Sequence, residues 1–134
     1  STFDLGGLRL GLMTCYDLRF PESARRLVDQ GADVLVVPAA WVAGPLKETH
    51  WETLLRARAI ESTVYVVGAG QTGPVCVGAS AIVDPAGVVA AAAGPTVGCV
   101  VAPLAASRLA EVRAVVPVLE HRRFRTVAIE EGAR

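Results

Sequence analysis

The chain has 134 residues, which is long enough to bury the core of one domain. Apolar residues make up 52% of it, and 13 basic side chains balance 13 acidic ones, so the composition indicates a globular protein and excludes a disordered one. The neutral balance also argues against a nucleic-acid partner.

The first predicted elements are a strand, a helix and a second strand. Residues Leu8–Thr14 predict a strand, because leucines alternate along one of its faces. A loop with the sequence YDLRF follows. Pro21 then begins a helix, and Gly31 is suited to be its C-terminal cap. Residues 33–38, DVLVVP, are continuously apolar, which is typical of a strand covered on both faces.

A second helix and a third strand continue the alternation. Apolar residues at helical spacing predict a helix that begins near His50, in which Arg58 and Glu61 are spaced to pair at i+3. Residues 63–70 predict another buried strand. The turn residues Asp84–Gly87 lie between two apolar runs and predict a hairpin.

The remaining residues complete the predicted fold. Val97–Ala102 is interpreted as one more strand, and the end of the chain as a short helix followed by an irregular basic tail. Alternating strands and helices followed by a meander of strands indicate an α/β domain, with a mixed sheet covered by helices on one face. The second half of a two-layer domain fits this order better than a complete one.

Cysteine content and hydropathy bear on where the protein works. Three cysteines, Cys15, Cys76 and Cys99, are an odd number and too few for a disulfide framework, which suits a reducing compartment such as the cytoplasm. No apolar stretch reaches the ~20 residues that span a bilayer, so no membrane partner is expected. The sequence starts without an initiator methionine or a signal segment, and we interpret it as part of a longer chain.

Cys15 is the first candidate for chemistry. Ligands of α/β sheets bind beyond the carboxyl ends of the strands, and Cys15 follows the first predicted strand. A catalytic cysteine needs a base or a positive field to form its thiolate. A buried, unreactive thiol is the alternative, and position alone leaves both open. Cys76 and Cys99 are expected to be core residues.

Five segments, in order and spacing, carry a resemblance to a known family. They are CYDLRFPE, GADVLVVPAAW, HWETLLRARAIESTVYVV, GASAIVDPAG and VRAVVPVLEHRR. Together they resemble the C-terminal half of the nitrilase (carbon–nitrogen hydrolase) superfamily, in its Nit/ω-amidase-like branch, over residues 3 to about 123. The resemblance implies that residues 1–134 are the C-terminal portion of a single hydrolase domain and form half of an α-β-β-α sandwich.

The resemblance also implies a Glu–Lys–Cys triad without a cofactor or metal. The family's nucleophile falls on Cys15, which would attack a small linear carboxamide and form a thioester that water then cleaves. A glutamate would act as general base and then acid. A lysine and the backbone N–H of Tyr16 would stabilise the oxyanion. The family's subunits associate, so a homo-oligomer is expected of the complete protein.

The sequence departs from the family because the glutamate and the lysine lie upstream of the cysteine on segments that it does not contain. Only Asp4 and Arg9 precede Cys15 as charged residues, and the one lysine, Lys47, follows it. The N-terminal half is removed or left out, or another subunit supplies it, or the chain is a non-catalytic remnant. We favour the first, and we expect the chain alone to lack amidase activity.

Several residues near Cys15 have two interpretations each. Arg19 is expected to form an ion pair with Glu22 that fixes the turn, and binding of a substrate carboxylate is the alternative. Trp41 is either a pocket wall or a packing residue, and Gln71 is a candidate for substrate contact. Asp17 is expected to cap the turn rather than to perform acid–base chemistry.

Two further functions remain open at the level of sequence. His50 or His121 could pair with Cys15 in a Cys–His hydrolase that is complete in this chain. A non-catalytic subunit that retains the fold is the other alternative. No residues have the spacing of metal ligands or of a phosphate-binding loop.

Overall fold

The computed structural model describes residues 1–129. Within them, six strands form one sheet and lie side by side in chain order. The strands are β1 (Thr2–Leu5), β2 (Leu8–Leu12), β3 (Val34–Ala39), β4 (Tyr65–Gly70), β5 (Ala81–Val83) and β6 (Val89–Ala92).

The same residues contain three α-helices and one short 3₁₀ helix. The α-helices are α1 (Pro21–Asp29), α2 (Lys47–Ser62) and α3 (Ala106–Val115). The 3₁₀ helix spans Cys15–Arg19 and is called the Cys15 turn below. No helix within residues 1–129 is both long enough and apolar enough to cross a membrane.

The sheet is mixed, as the sequence predicts. Strands β2, β3 and β4 run parallel, whereas β1, β5 and β6 pair antiparallel with their neighbours. The helices α1 and α2 connect the parallel strands, and both cover the same face because right-handed crossovers that advance in one direction stay on one side. The α/β class and the mixed sheet are therefore confirmed.

The main core lies between that face and the two crossover helices. Alternate side chains of β3 and β4, such as Leu35 and Val66, are fully buried against it. The largest fully buried side chain is Trp51 of α2. Helix α1 contributes Leu27 and Val28 to the same buried cluster.

Helix α3 departs from the prediction that helices cover one face. It lies on the opposite face, where Leu109 packs against Val34 and Tyr65. The Tyr65 hydroxyl lies within hydrogen-bond distance of both the backbone N–H and the carbonyl oxygen of Ala105. The sequence could not predict which face of the sheet α3 covers, because α3 follows the meander and does not connect parallel strands, the case in which the handedness of the crossover fixes the face.

Other boundaries show where sequence patterns succeed and fail. The first four residues of the segment YDLRF belong to a 3₁₀ helix rather than an open loop, and α2 begins three residues before His50. The hairpin at Asp84–Gly87 is confirmed. The strand predicted at Val97–Ala102 is wrong, because those residues lie outside the strands and Val97 is 89% exposed.

Candidate active site at the carboxyl ends of the parallel strands

The three parallel strands end at one edge of the sheet and border a shallow cleft there. The cleft has a volume of about 550 Å³. It is lined by residues that follow or end β2, β3 and β4, together with one from the loop before β5: Thr14, Cys15, Pro38, Ala39, Ala40, Ala69, Gly70, Gln71 and Ser80. This is the edge at which α/β proteins bind ligands.

Cys15 opens the turn between β2 and α1. Its backbone has φ +46°, in the left-handed region that residues other than glycine seldom adopt. Its side chain is half-buried, packs against the main core and contributes to the cleft wall. Strained backbone is common at functional sites and persists only where neighbouring contacts enforce it.

Asp17 is one of those contacts. Its carboxylate accepts a hydrogen bond from the Thr14 N–H at 3.0 Å, and its own N–H donates to the Thr14 carbonyl at 2.9 Å. Its carbonyl accepts from the Phe20 N–H at 3.0 Å. The prediction that Asp17 caps the turn is confirmed.

Arg58 of α2 is a second contact, which sequence reasoning missed. The residue is 4% exposed, and its Nε and Nη2 donate to the Leu18 carbonyl at 3.1 and 2.8 Å. Its Nη1 pairs with Glu61 at 2.9 Å, as the i+3 spacing predicts. A signal existed, because Arg58 lies three and seven residues after Leu55 and Trp51 and therefore on the buried face.

The Tyr16 N–H stands at the start of the same short helix. Among residues 1–129 no acceptor contacts it, as is usual for the first N–H groups of a helix. The tyrosine ring is 63% exposed and lies edge-on to Phe20. A free backbone N–H directly after a candidate nucleophile is available to an oxygen of a bound molecule.

Arg19 does not pair with Glu22, so the favoured interpretation of this residue is wrong. Within residues 1–129 its guanidinium forms no ion pair, and instead lies 4.6 Å from the centre of the Trp41 ring and 5.6 Å from that of Tyr16. Stacking on aromatic faces suits the planar guanidinium. It leaves the N–H edge of Arg19 free for an anion.

Trp41 is mainly a packing residue. It is 4% exposed, its ring centre lies 5.3 Å from that of Trp51, and its Nε1 donates to the Lys47 carbonyl at 2.8 Å. Trp41 does not line the cleft beside Cys15. It contacts the candidate site residue Arg19, whose guanidinium stacks on its ring.

Gln71 lies in the same cleft as Cys15, as its position after β4 suggested. Its N–H donates to the Ala39 carbonyl and its carbonyl accepts from Gly78, so its backbone is fixed. Ser80, which the sequence did not single out, is a further polar residue of the cleft. Its hydroxyl accepts from the Gly70 N–H at 3.0 Å.

The other candidate residues lie elsewhere. His50 and His121 are exposed, and neither lines the cleft. The prediction that Cys76 and Cys99 are core residues is wrong, since Cys76 is half-buried and Cys99 is exposed. Within the described part of the chain no cluster of side chains could hold a metal ion.

Comparison with known proteins gives this geometry a context. The carbon-nitrogen hydrolase family model matches residues 1–114. A deaminated glutathione amidase of Escherichia coli O157:H7 is 53% identical over 121 residues, which are 90% of this chain and 46% of that protein. The chain spans about half the length of the curated relatives that it matches.

Solved structures share the fold. XC1258 from Xanthomonas campestris, a CN-hydrolase superfamily protein with an arsenic adduct in its active site, is 28% identical with a TM-score of 0.86, over 96% of this chain and 52% of that one. A mutant amidase from Nesterenkonia sp. AN1 is 33% identical with a TM-score of 0.65, over 71% of this chain and 37% of that one. In that amidase, the acetamide moiety of fluoroacetamide is bound covalently to the active-site cysteine.

Proposed function

Since the chain belongs to the carbon-nitrogen hydrolase family, we propose that it supplies the cysteine nucleophile of an amidase, with Cys15 in that role. The observation that carries the proposal is the place of Cys15, on a strained turn at the carboxyl end of β2, with its side chain in the wall of the cleft. The acetamide adduct on the cysteine of the Nesterenkonia amidase supports the same chemistry.

The proposed reaction has two halves. The Cys15 thiol gives its proton to a base, and the thiolate adds to the amide carbon. The tetrahedral intermediate collapses as the base passes that proton to the leaving nitrogen, which releases ammonia or an amine and leaves a thioester on Cys15. Water then gives a proton to the base and attacks the thioester, and as the second tetrahedral intermediate collapses the base returns this proton to the departing thiolate, so that the carboxylic acid leaves and the thiol is restored. The Tyr16 N–H would donate to the oxyanion in both halves.

The base and the second oxyanion group are proposed to lie outside this sequence. Of the two charged residues before Cys15, Asp4 already pairs with Arg9 at 2.8 Å. Lys47 begins α2, its ammonium lies 6.0 Å from the centre of the Trp41 ring, and it is not among the residues that line the cleft. We therefore propose that a glutamate and a lysine from an N-terminal half of the domain complete the triad, as the family resemblance implies.

A linear amide with a carboxylate is the proposed substrate. Arg19 lies outside the cleft lining but in the same turn as Cys15, has no ion-pair partner in residues 1–129, and places its guanidinium 4.6 Å from the centre of the Trp41 ring. Gln71 contributes an amide to the same edge of the sheet. Because relatives are named deaminated glutathione amidases, deaminated glutathione and small ω-amides of dicarboxylic acids are the first compounds to test.

The test compares this chain with a hybrid, in which it is joined to the part of the E. coli O157:H7 relative that precedes the matched region. The 134-residue chain alone should release no ammonia or amine, and the hybrid should hydrolyse the amide. Cys15→Ala should abolish that activity, and the matched control Cys76→Ala should retain it.

Three results would contradict the proposal. Hydrolysis by the chain alone that Cys15→Ala abolishes would show that the triad is not needed. Activity of the hybrid that carries Cys15→Ala would show that Cys15 is not the nucleophile. A folded but inactive hybrid would support a non-catalytic subunit.

A further inference from the structure

A buried cation fixes the far end of the Cys15 turn. Arg58 enters from α2, and its Nε and Nη2 both donate to the carbonyl oxygen of Leu18, at 3.1 and 2.8 Å. Leu18 is fully buried. Two N–H groups from one planar guanidinium set the direction of that carbonyl as well as its position.

Charge balance keeps this arrangement intact. Burial of an unpaired guanidinium would be strongly unfavourable, and Glu61, one turn further along α2, accepts the remaining Nη1 bond. The Glu61 side chain is 34% exposed, so the negative charge lies on the solvent side and the guanidinium points inward. An apolar side chain at position 58 could fill the same space without needing an ion pair. Stability alone therefore does not explain why a buried arginine and its partner Glu61 occupy these positions.

The Leu18 carbonyl requires a hydrogen-bond donor from outside the Cys15 turn. The last carbonyls of a helix lack partners within it, and the Cys15 turn has only five residues. Asp17 fixes the first end of the turn through Thr14, and its carbonyl accepts from Phe20. Arg58 supplies hydrogen bonds from α2 to the second end of the turn.

We propose that Arg58 is a positioning residue for Cys15. By holding the Leu18 carbonyl, it keeps Cys15 in its left-handed conformation, with the thiol in the cleft wall and the Tyr16 N–H at the start of the same short helix. The inference deepens the proposed function, since it rests on Cys15 as the nucleophile. Arg58 itself does not line the cleft and is not assigned a contact with substrate.

Hydrogen exchange of the 134-residue chain provides the first test. In Arg58→Met, the peptide that contains residues 14–20 should exchange about tenfold faster, whereas the amides of β3 and β4 should keep their protection. Arg58→Lys keeps the positive charge but replaces the planar guanidinium with a single ammonium, so the exchange rate of this peptide should rise less than in Arg58→Met. Arg56→Met is the matched control, because Arg56 donates to the Gly87 carbonyl at 3.0 Å from the same helix, away from Cys15.

Unchanged exchange of residues 14–20 in a folded Arg58→Met or Arg58→Lys variant would overturn the proposal. An equal rise over the whole chain would also overturn it, because it would show a general structural role. This readout needs no catalysis, so an inactive hybrid would count against the proposed function and leave the exchange result standing.

Kinetics of the active hybrid provide the second test. Arg58→Lys should lower kcat by about 10- to 100-fold and leave KM nearly unchanged, because misplacement of a nucleophile acts on the reacting geometry rather than on substrate binding. Arg56→Met should leave both parameters unchanged. A variant at Arg58 with the kcat of the parent hybrid would overturn the positioning role.

Discussion

Gly68 of β4 lies where the sheet meets α2 with no room for a side chain. A Cβ atom at this position would lie 2.7 Å from Leu55 Cδ1 and 2.8 Å from Trp51 Cζ2. Both neighbours are fully buried, so neither can move aside freely. Since the Trp51 indole also donates to the Ala79 carbonyl at 2.8 Å, this contact supports the loop that leads to Ser80 in the cleft.

We therefore expect Gly68→Ala to lower the free energy of unfolding by about 1–3 kcal/mol, the usual effect of overpacking. Urea denaturation followed by tryptophan fluorescence measures it. Gly98→Ala is the control, because the nearest atom to its added Cβ is the Thr96 carbonyl oxygen at 4.0 Å. Equal stability of Gly68→Ala and the parent would show that α2 and β4 have room for a methyl group at this position.

The candidate site was predictable where local spacing determines it. Asp17 could be identified as a cap because the Thr14 N–H lies within one turn of it. Arg19 was assigned to Glu22 on the same reasoning, yet its partner is Trp41, 22 residues further along the sequence and brought close by β3. Arg58 and Leu18 are 40 residues apart, and their contact depends on how α2 packs.

Among the elements, continuous apolar runs and turn residues gave reliable predictions. The apolar runs of β3 and β4 are strands as predicted, although only their first two residues are buried on both faces, and Asp84–Gly87 forms the expected hairpin turn. Strand β1 was missed although Gly6 and Gly7, both with positive φ, form a two-residue hairpin loop before β2. The apolar residues at Val97–Ala102 have β propensity, but no neighbouring strand pairs with them within residues 1–129.

Asp84 joins the β5–β6 turn to α3. Its Oδ1 accepts from the Ala86 and Val88 N–H groups at 2.9 and 2.8 Å, and its Oδ2 accepts from Arg108 at 2.9 Å. Burial alone would raise the pKa of Asp84, but the hydrogen bonds from Val88, Arg108 and Ala86 together lower it below its usual value. A lowered pKa means that folding favours the ionised carboxylate.

The stability that Asp84 provides should therefore depend on pH. It is fully present above the unfolded pKa of about 3.9, and it is lost as the pH falls through the lower pKa of the folded state. We expect Asp84→Asn to lower the free energy of unfolding by about 1–3 kcal/mol at pH 7, since it weakens hydrogen bonds to a charged group. The difference from the parent should shrink as the pH falls below about 4.

Urea denaturation at several pH values between 7 and 3 checks this prediction. Asp4→Asn is the control, because Asp4 is exposed and its ion pair with Arg9 is screened by solvent, so the variant should unfold nearly as the parent does. A difference between Asp84→Asn and the parent that stays constant over this pH range would refute the role of the carboxylate charge.

At the scale of the whole molecule, one face of the sheet is only partly covered. Helix α3 covers the part of that face near the amino-terminal ends of β3 and β4, where Leu109 packs. Toward the carboxyl ends of the parallel strands, this face presents apolar side chains that are half-buried or exposed: Leu10, Leu12, Val36, Pro38, Val67 and Ala69. Sheets of this kind usually bury such a face against a second layer.

The proposed N-terminal half of the domain would provide that layer, and without it the face should drive self-association. We expect the purified 134-residue chain to form dimers or larger species that grow with concentration, because contiguous exposed apolar surface favours association. Light scattering coupled to size exclusion measures this. Leu12→Glu places a charge on the open face, where the leucine is 44% exposed, and should shift the chain toward the monomer.

Val101→Glu is the matched control, since Val101 is 85% exposed but lies outside the sheet, and its substitution should leave the association unchanged. The hybrid with the relative's N-terminal part should lose the association that Leu12→Glu suppresses, because the added segment would occupy the same face. A monomeric 134-residue chain with a sharp, cooperative thermal transition would contradict the prediction and, with it, the proposal that this face belongs to the interior of a larger domain.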